Sequence, residues 1–119
     1  MDDTANYHSI GFDTVFDCSA MCNVVELASN LMKVMANSDR LLLLCQITQQ
    51  EKSVSELEHL TGIKQPSLSQ QLSVLRESKL VSTRRDGKNI YYLLASASAI
   101  KVMQVLYQEF CQDNSDNFL

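Results

Sequence analysis

Apolar residues recur at three- and four-residue spacing in several stretches of this 119-residue chain, and the first is Val24, Val25, Ala28, Leu31, Met32 and Met35. Leu27 and Val34 widen that stripe, which predicts an amphipathic helix over about 22–36. A second helix is expected from Asn37-Ser38, with Ser38 as N-cap and Asp39 in the first turn. It carries Leu41, Leu42, Leu44, Cys45 and Ile47 and ends in the polar run Thr48 to Lys52. Ser53 and Glu56 stand three residues apart, the spacing of a capping box, and open a third helix with Val54, Leu57 and Leu60. That helix stops at Thr61-Gly62. Pro66, the only proline, suits the first turn of a fourth helix. The fourth helix runs to about Ser78, with Leu68, Leu72 and Leu75 on its inner face and Val74 beside them.

From Leu80 to Leu94 the period shortens to that of strands. Leu80 to Arg85 and Asn89 to Leu94 are rich in β-branched and aromatic residues and flank Asp86-Gly87, a hairpin turn signal. A last helix, about 97–112, places Ile100, Met103, Leu106, Tyr107 and Phe110 on one stripe. The pattern predicts one domain over 18–112, mainly α with five helices and a small β-hairpin. An acidic, aperiodic arm (1–17) precedes it and a polar tail (113–119) follows.

The longest purely apolar run, Leu41 to Cys45, is far short of the roughly 20 residues of a membrane span. The acidic first seventeen residues, with no apolar run, are not expected to act as a secretory signal. These features lead to the expectation of a cytoplasmic protein without membrane partners. The net charge of −4 looks unsuited to nucleic acid, but it is unevenly spread. Residues 1–36 hold five acids against one lysine. Residues 64–94 hold Lys64, Arg76, Lys79, Arg84, Arg85 and Lys88 against Glu77 and Asp86, a local +4.

Helix, short glycine-containing turn, helix and a hairpin with basic residues near its tip is the order of a winged helix-turn-helix. In that arrangement the third helix braces the fourth, whose N-terminal half faces the major groove of double-stranded DNA. The candidate base readers are Gln65, Ser67, Ser69, Gln70 and Gln71; a glutamine can bond bidentately to adenine. Arg84, Arg85 and Lys88 are the candidate phosphate or minor-groove contacts. An enzyme is not expected. Gly11, Gly62 and Gly87 are scattered rather than gathered in a phosphate loop, and no nucleophile stands in sequence with a histidine and an orienting acid. No cofactor is expected.

Ser53-Val-Ser-Glu-Leu, Ser69-Gln-Gln-Leu-Ser-Val-Leu-Arg and Leu80-Val-Ser-Thr-Arg-Arg-Asp-Gly-Lys-Asn-Ile-Tyr-Tyr-Leu together resemble the ArsR/SmtB repressors. So does Met35-Ala-Asn-Ser-Asp-Arg-Leu at the entry to the second helix. The resemblance covers roughly 24–112. It implies a homodimer built from the first and last helices, bound to an operator and released by an inducer. The wide apolar arcs of both terminal helices agree with dimerisation.

Two metal sites known in that family lack their ligands here. The last helix has no histidine, and the third, Val-Ser-Glu-Leu-Glu-His-Leu, has no cysteine. His59 reads as a surface or packing residue, and His8 lies in the arm. Cys45 in the second helix and Cys111 at the end of the last resemble the BigR/SqrR/HlyU branch, which senses sulfane sulfur through one cysteine on each of these helices. By that resemblance the pair is a sensing dithiol for reactive sulfur species. The alternative is a pair of buried apolar cysteines, and Cys45, inside an apolar run, is expected to be shielded. Cys18 and Cys22 stand one helical turn apart. With a third ligand they could hold Zn(II) or As(III), which would make the protein a metal or metalloid sensor. A DNA-binding module without any inducer is the remaining reading.

Overall fold

The computed structural model describes residues 16–112. Residues 1–15 of the expected arm, with His8 and Gly11, and the tail over 113–119 lie outside the described residues. Five α-helices and three short strands follow one another in chain order: α1 (Cys18–Met35), α2 (Ser38–Gln49), β1 (Lys52–Ser53), α3 (Val54–Thr61), α4 (Ser67–Glu77), β2 (Val81–Asp86), β3 (Asn89–Leu94) and α5 (Ala97–Tyr107). A single π turn, Gln108–Gln112, ends the last helix. The chain divides into two compact units, residues 1–30 and 31–119, so the division falls within α1.

Two helix starts differ from the sequence expectation, each through a side chain that caps it. In α1 the start moves to Cys18, because the backbone N–H groups of Ser19 and Ala20 donate to Asp17 Oδ1 at 2.9 and 3.2 Å. At α2 the cap is Asn37 rather than Ser38: Asn37 Oδ1 accepts from the Arg40 N–H at 3.0 Å. The Ser53–Glu56 capping box forms as expected, with bonds of 2.8 and 3.2 Å. Gly62 adopts the left-handed conformation (φ 75°) after α3, and its N–H donates to the Glu58 carbonyl at 2.9 Å. Beyond α4, Lys79 takes a left-handed φ of 65° and closes the helix through its bond to the Arg76 carbonyl.

Met35, Leu43, Leu44, Ile47, Leu57, Ile63, Leu68, Leu72, Leu75, Leu80, Val81 and Ala99 form one buried cluster. Six leucines (Leu43, Leu44, Leu57, Leu68, Leu72 and Leu75) are essentially inaccessible and lock α2, α3 and α4 together. The sheet order is β1-β3-β2, all antiparallel. The β2–β3 hairpin turns at Gly87-Lys88, one residue beyond the expected Asp86-Gly87. Gly87 has φ 64° and Lys88 does not share a positive φ, the pattern of a turn that wants glycine at its first central position.

Strand β1 is absent from the sequence expectation, which placed Lys52 in a polar run. Lys52 is only 6% exposed. Its ammonium donates to the Gln46 and Gln50 carbonyls at 2.9 and 3.2 Å, satisfying orphan acceptors at the end of α2. Its backbone meanwhile pairs with Tyr92 on β3. Lys52 thus fastens the hairpin to the α2–α3 junction.

Candidate nucleic-acid interface

Helix α4 buries Leu68, Leu72 and Leu75 and turns Ser69, Gln70, Ser73 and Arg76 to solvent. The 3.6-residue period forces this division. The five candidate readers therefore do not share one environment. Gln65, just before the helix, accepts at Oε1 from the Ser69 N–H (3.1 Å) and the Ser69 hydroxyl (2.8 Å). It supplies the cap that Pro66, at the N-cap position, cannot. Ser67 and Gln71 are half-buried. Gln71 Oε1 accepts from Arg40 Nη1 at 2.8 Å. The glutamine–adenine pairing needs both amide atoms, so Gln71 is already half committed. Gln70 is exposed, as Gln65 is, but alone of the three glutamines makes no side-chain hydrogen bond among the described residues. Ser73, three residues from Gln70, and Arg76, three from Ser73 and seven from Ser69, continue the exposed arc, a spacing that could have been read from the sequence.

The hairpin separates its basic residues as well. Arg84 and Tyr91 are directly paired across β2 and β3 and so lie on one face. The Arg84 guanidinium sits 4.7 Å from the centre of the Tyr91 ring. Its Nε and Nη2 donate to the two carboxylate oxygens of Glu51 at 2.6 and 2.5 Å. Those hydrogen bonds, aided by the guanidinium charge, hold the Glu51 carboxyl below its ordinary value and push Arg84 higher still. Arg84 therefore ties the hairpin to Glu51, whereas Arg85 and Lys88, exposed as well, form no ion pair among the described residues. No local signal announces the Glu51–Arg84 pair, whose members are 33 residues apart in sequence.

Cys45 is exposed, against the expectation that its helix shields it. Leu43, Leu44 and Ile47 face the core, and at 100° per residue that leaves Leu42, Cys45 and Gln49 on the outer side. An unbroken apolar run hides that phase. Cys111 lies in the π turn after α5 and is exposed too, as are Cys18 and Cys22 on α1. Among the described residues no group of three or more His, Cys, Asp or Glu side chains could hold a metal ion. No described helix is long and apolar enough to cross a membrane.

Residues 37–83, from the cap of α2 into β2, match the family model described as bacterial regulatory protein, arsR family. A biofilm growth-associated repressor of Xylella fastidiosa is 49% identical over 83 residues, which span 70% of this chain and 73% of that protein. The chain belongs to the arsR family. Two solved structures extend the likeness. The crystal structure of the transcriptional repressor BigR from Xylella fastidiosa superposes with a TM-score of 0.78 at 43% identity, over 82% of this chain and 99% of that one. Reduced HlyU from Vibrio cholerae superposes with a TM-score of 0.74 at 35% identity, over 78% and 98%. The fold is a winged helix-turn-helix, with α3 and α4 as the helix-turn-helix and β2–β3 as the wing. This arsR-family chain is a transcription regulator, not an enzyme.

Proposed function

We propose that this chain is a cytoplasmic, homodimeric repressor that reads operator DNA with α4. The observation that carries the reading is the two-sided environment of that helix. Three leucines hold it rigidly, and an exposed polar face of Ser69, Gln70 and Ser73 lies opposite. Arg85 and Lys88 supply unneutralised charge on the wing for phosphate. Dimerisation is supported by exposed apolar side chains on each terminal helix: Val24, Val25, Leu27 and Met32 on α1, and Val105 and Tyr107 on α5, with Phe110 just beyond.

The proposed inducer is a reactive sulfur species acting on Cys45 and Cys111. Support comes from their exposure, which a reacting thiolate needs, and from the contact between α2, which carries Cys45, and α5, which the π turn with Cys111 continues. Each thiolate takes one sulfane sulfur from a low-molecular-weight persulfide, which leaves as a thiol. One protein persulfide then attacks the inner sulfur of the other and expels hydrosulfide, leaving a trisulfide. That bridge reaches farther than a direct disulfide, whose Cα atoms must lie within about 7 Å.

The test is mass spectrometry of the reduced protein treated with glutathione persulfide, beside binding to a duplex that the protein itself selects from a random library. Treatment should link Cys45 to Cys111 within one chain and release the duplex. Cys45→Ser and Cys111→Ser should each bind but fail to release. Release that survives in Cys45→Ser but is lost in Cys18→Ser would move the sensor to the Cys18–Cys22 pair. Failure to select any duplex would end the DNA-reading proposal itself.

A further inference from the structure

Arg40 is the third residue of α2, counted from its Asn37 cap. A cation there faces the positive end of its own helix dipole, which is unfavourable. Its side chain does not stay with α2. Nε donates to the Val34 carbonyl at 2.7 Å and Nη2 lies 3.4 Å from the Lys33 carbonyl, both in the last turn of α1, where carbonyls lack helical partners. Nη1 donates to Gln71 Oε1 on α4 at 2.8 Å. A guanidinium has only donors, so the amide atom facing it must be the oxygen. Three nitrogens of one rigid plane thus meet two helices. All of these residues lie within the unit 31–119.

We infer that Arg40 is a positioning residue that couples the C-terminal turn of α1 to the recognition helix, and that Gln71 serves DNA binding through Arg40 rather than by reading a base itself. The inference rests on α4 being the DNA-reading helix. The planar fork is what allows the coupling. A lysine places one charge at one point and cannot hold the α1 carbonyl and Gln71 at once. The bond to Gln71 also sets the rotation of α4, because Gln71 flanks the exposed Gln70 on the same turn. Disturbing α1 at Lys33–Val34 therefore changes where Gln70 points, with no change in the residues that meet DNA.

The test uses the full chain as Arg40→Met, Gln71→Met, the double variant and Gln71→Glu. Hydrogen exchange is followed without DNA, and binding is compared between the self-selected duplex and random duplex. Arg40→Met should speed exchange together in the last turn of α1 and the first two turns of α4, leaving α3 unchanged. Each single Met variant should lower the preference for the selected duplex about tenfold, the scale of one charged hydrogen bond, and the double variant by no more than either alone. Gln71→Glu, whose carboxylate still accepts from Arg40, should keep the preference while binding all duplexes more weakly.

Losses that multiply in the double variant, or a Gln71→Glu variant that loses preference as fully as Gln71→Met, would make Gln71 an independent base reader and overturn the coupling. Faster exchange confined to α1 would overturn it too. The exchange arm needs no DNA, so a protein that selects no duplex would fail the DNA-reading proposal while the coupling was still decided.

Discussion

The two arginines of the wing, adjacent in sequence and equal in charge, should behave differently on DNA. Arg84 is held by both oxygens of Glu51 and stacked on Tyr91, whereas Arg85 has no ion partner among the described residues. Each phosphate neutralised contributes about 0.9 to the slope of log affinity against log salt. In a homodimer one substitution removes two contacts, so Arg85→Ala should flatten the slope by about 1.8. Raising salt from about 50 to 200 mM would then shrink the advantage of the native protein over the variant about 12-fold. Arg84→Ala should change the slope by less than half as much, because its charge is already compensated by Glu51. The assay is fluorescence anisotropy with one labelled duplex at four salt concentrations. Equal slopes for Arg84→Ala and Arg85→Ala, or an unaltered slope for Arg85→Ala, would refute the reasoning.

Gln70→Ala should leave thermal stability nearly unchanged, since the side chain is exposed, yet weaken the selected duplex by about 1–3 kcal/mol per protomer relative to random duplex in the same titration. Leu72→Ala should cost about 2–5 kcal/mol in urea unfolding, because Leu72 is 1% exposed between α4 and the rest of the core. Ser53→Ala breaks one half of the capping box and should cost about 1 kcal/mol in the same experiment. The Glu51–Arg84 pair has a pH signature. Its carboxyl is lowered in the folded protein, so its contribution is complete above the ordinary value of 4.5 and is lost as pH falls through the lowered native value. Glu51→Gln should abolish that acid-side loss of wing protection, measured by hydrogen exchange in β2 and β3.

Much of the molecule follows from local rules that act within a few residues. Alternation against 3.6-residue recurrence separated the wing from the helices, because each periodicity puts its apolar set on one face only in the matching backbone. The Ser53–Glu56 box, Gly62 after α3 and the glycine of the wing turn are short-range chemistry, and all three stand where the residue pattern puts them, the turn shifted by one. The exposed arc of α4 was legible for the same reason, apart from Ser73 and Arg76, whose spacing from Ser69 carried the signal.

Only the tertiary structure decided which polar side chains are engaged within the protein and which remain for a ligand. Gln70 and Gln71 are identical neighbours, but the helix period aims one at solvent and the other at Arg40, 31 residues away. Arg84 and Arg85 part in the same way because strand alternation points only Arg84 toward Glu51. Cys45 lies in a run with no polar residue to mark its outer face, so its exposure depends on which side of α2 the core occupies. Lys52 reads as loop until the end of α2 and strand β3 converge on it. Each of these outcomes depends on contacts between distant segments, for which a sequence carries the partners but not their meeting.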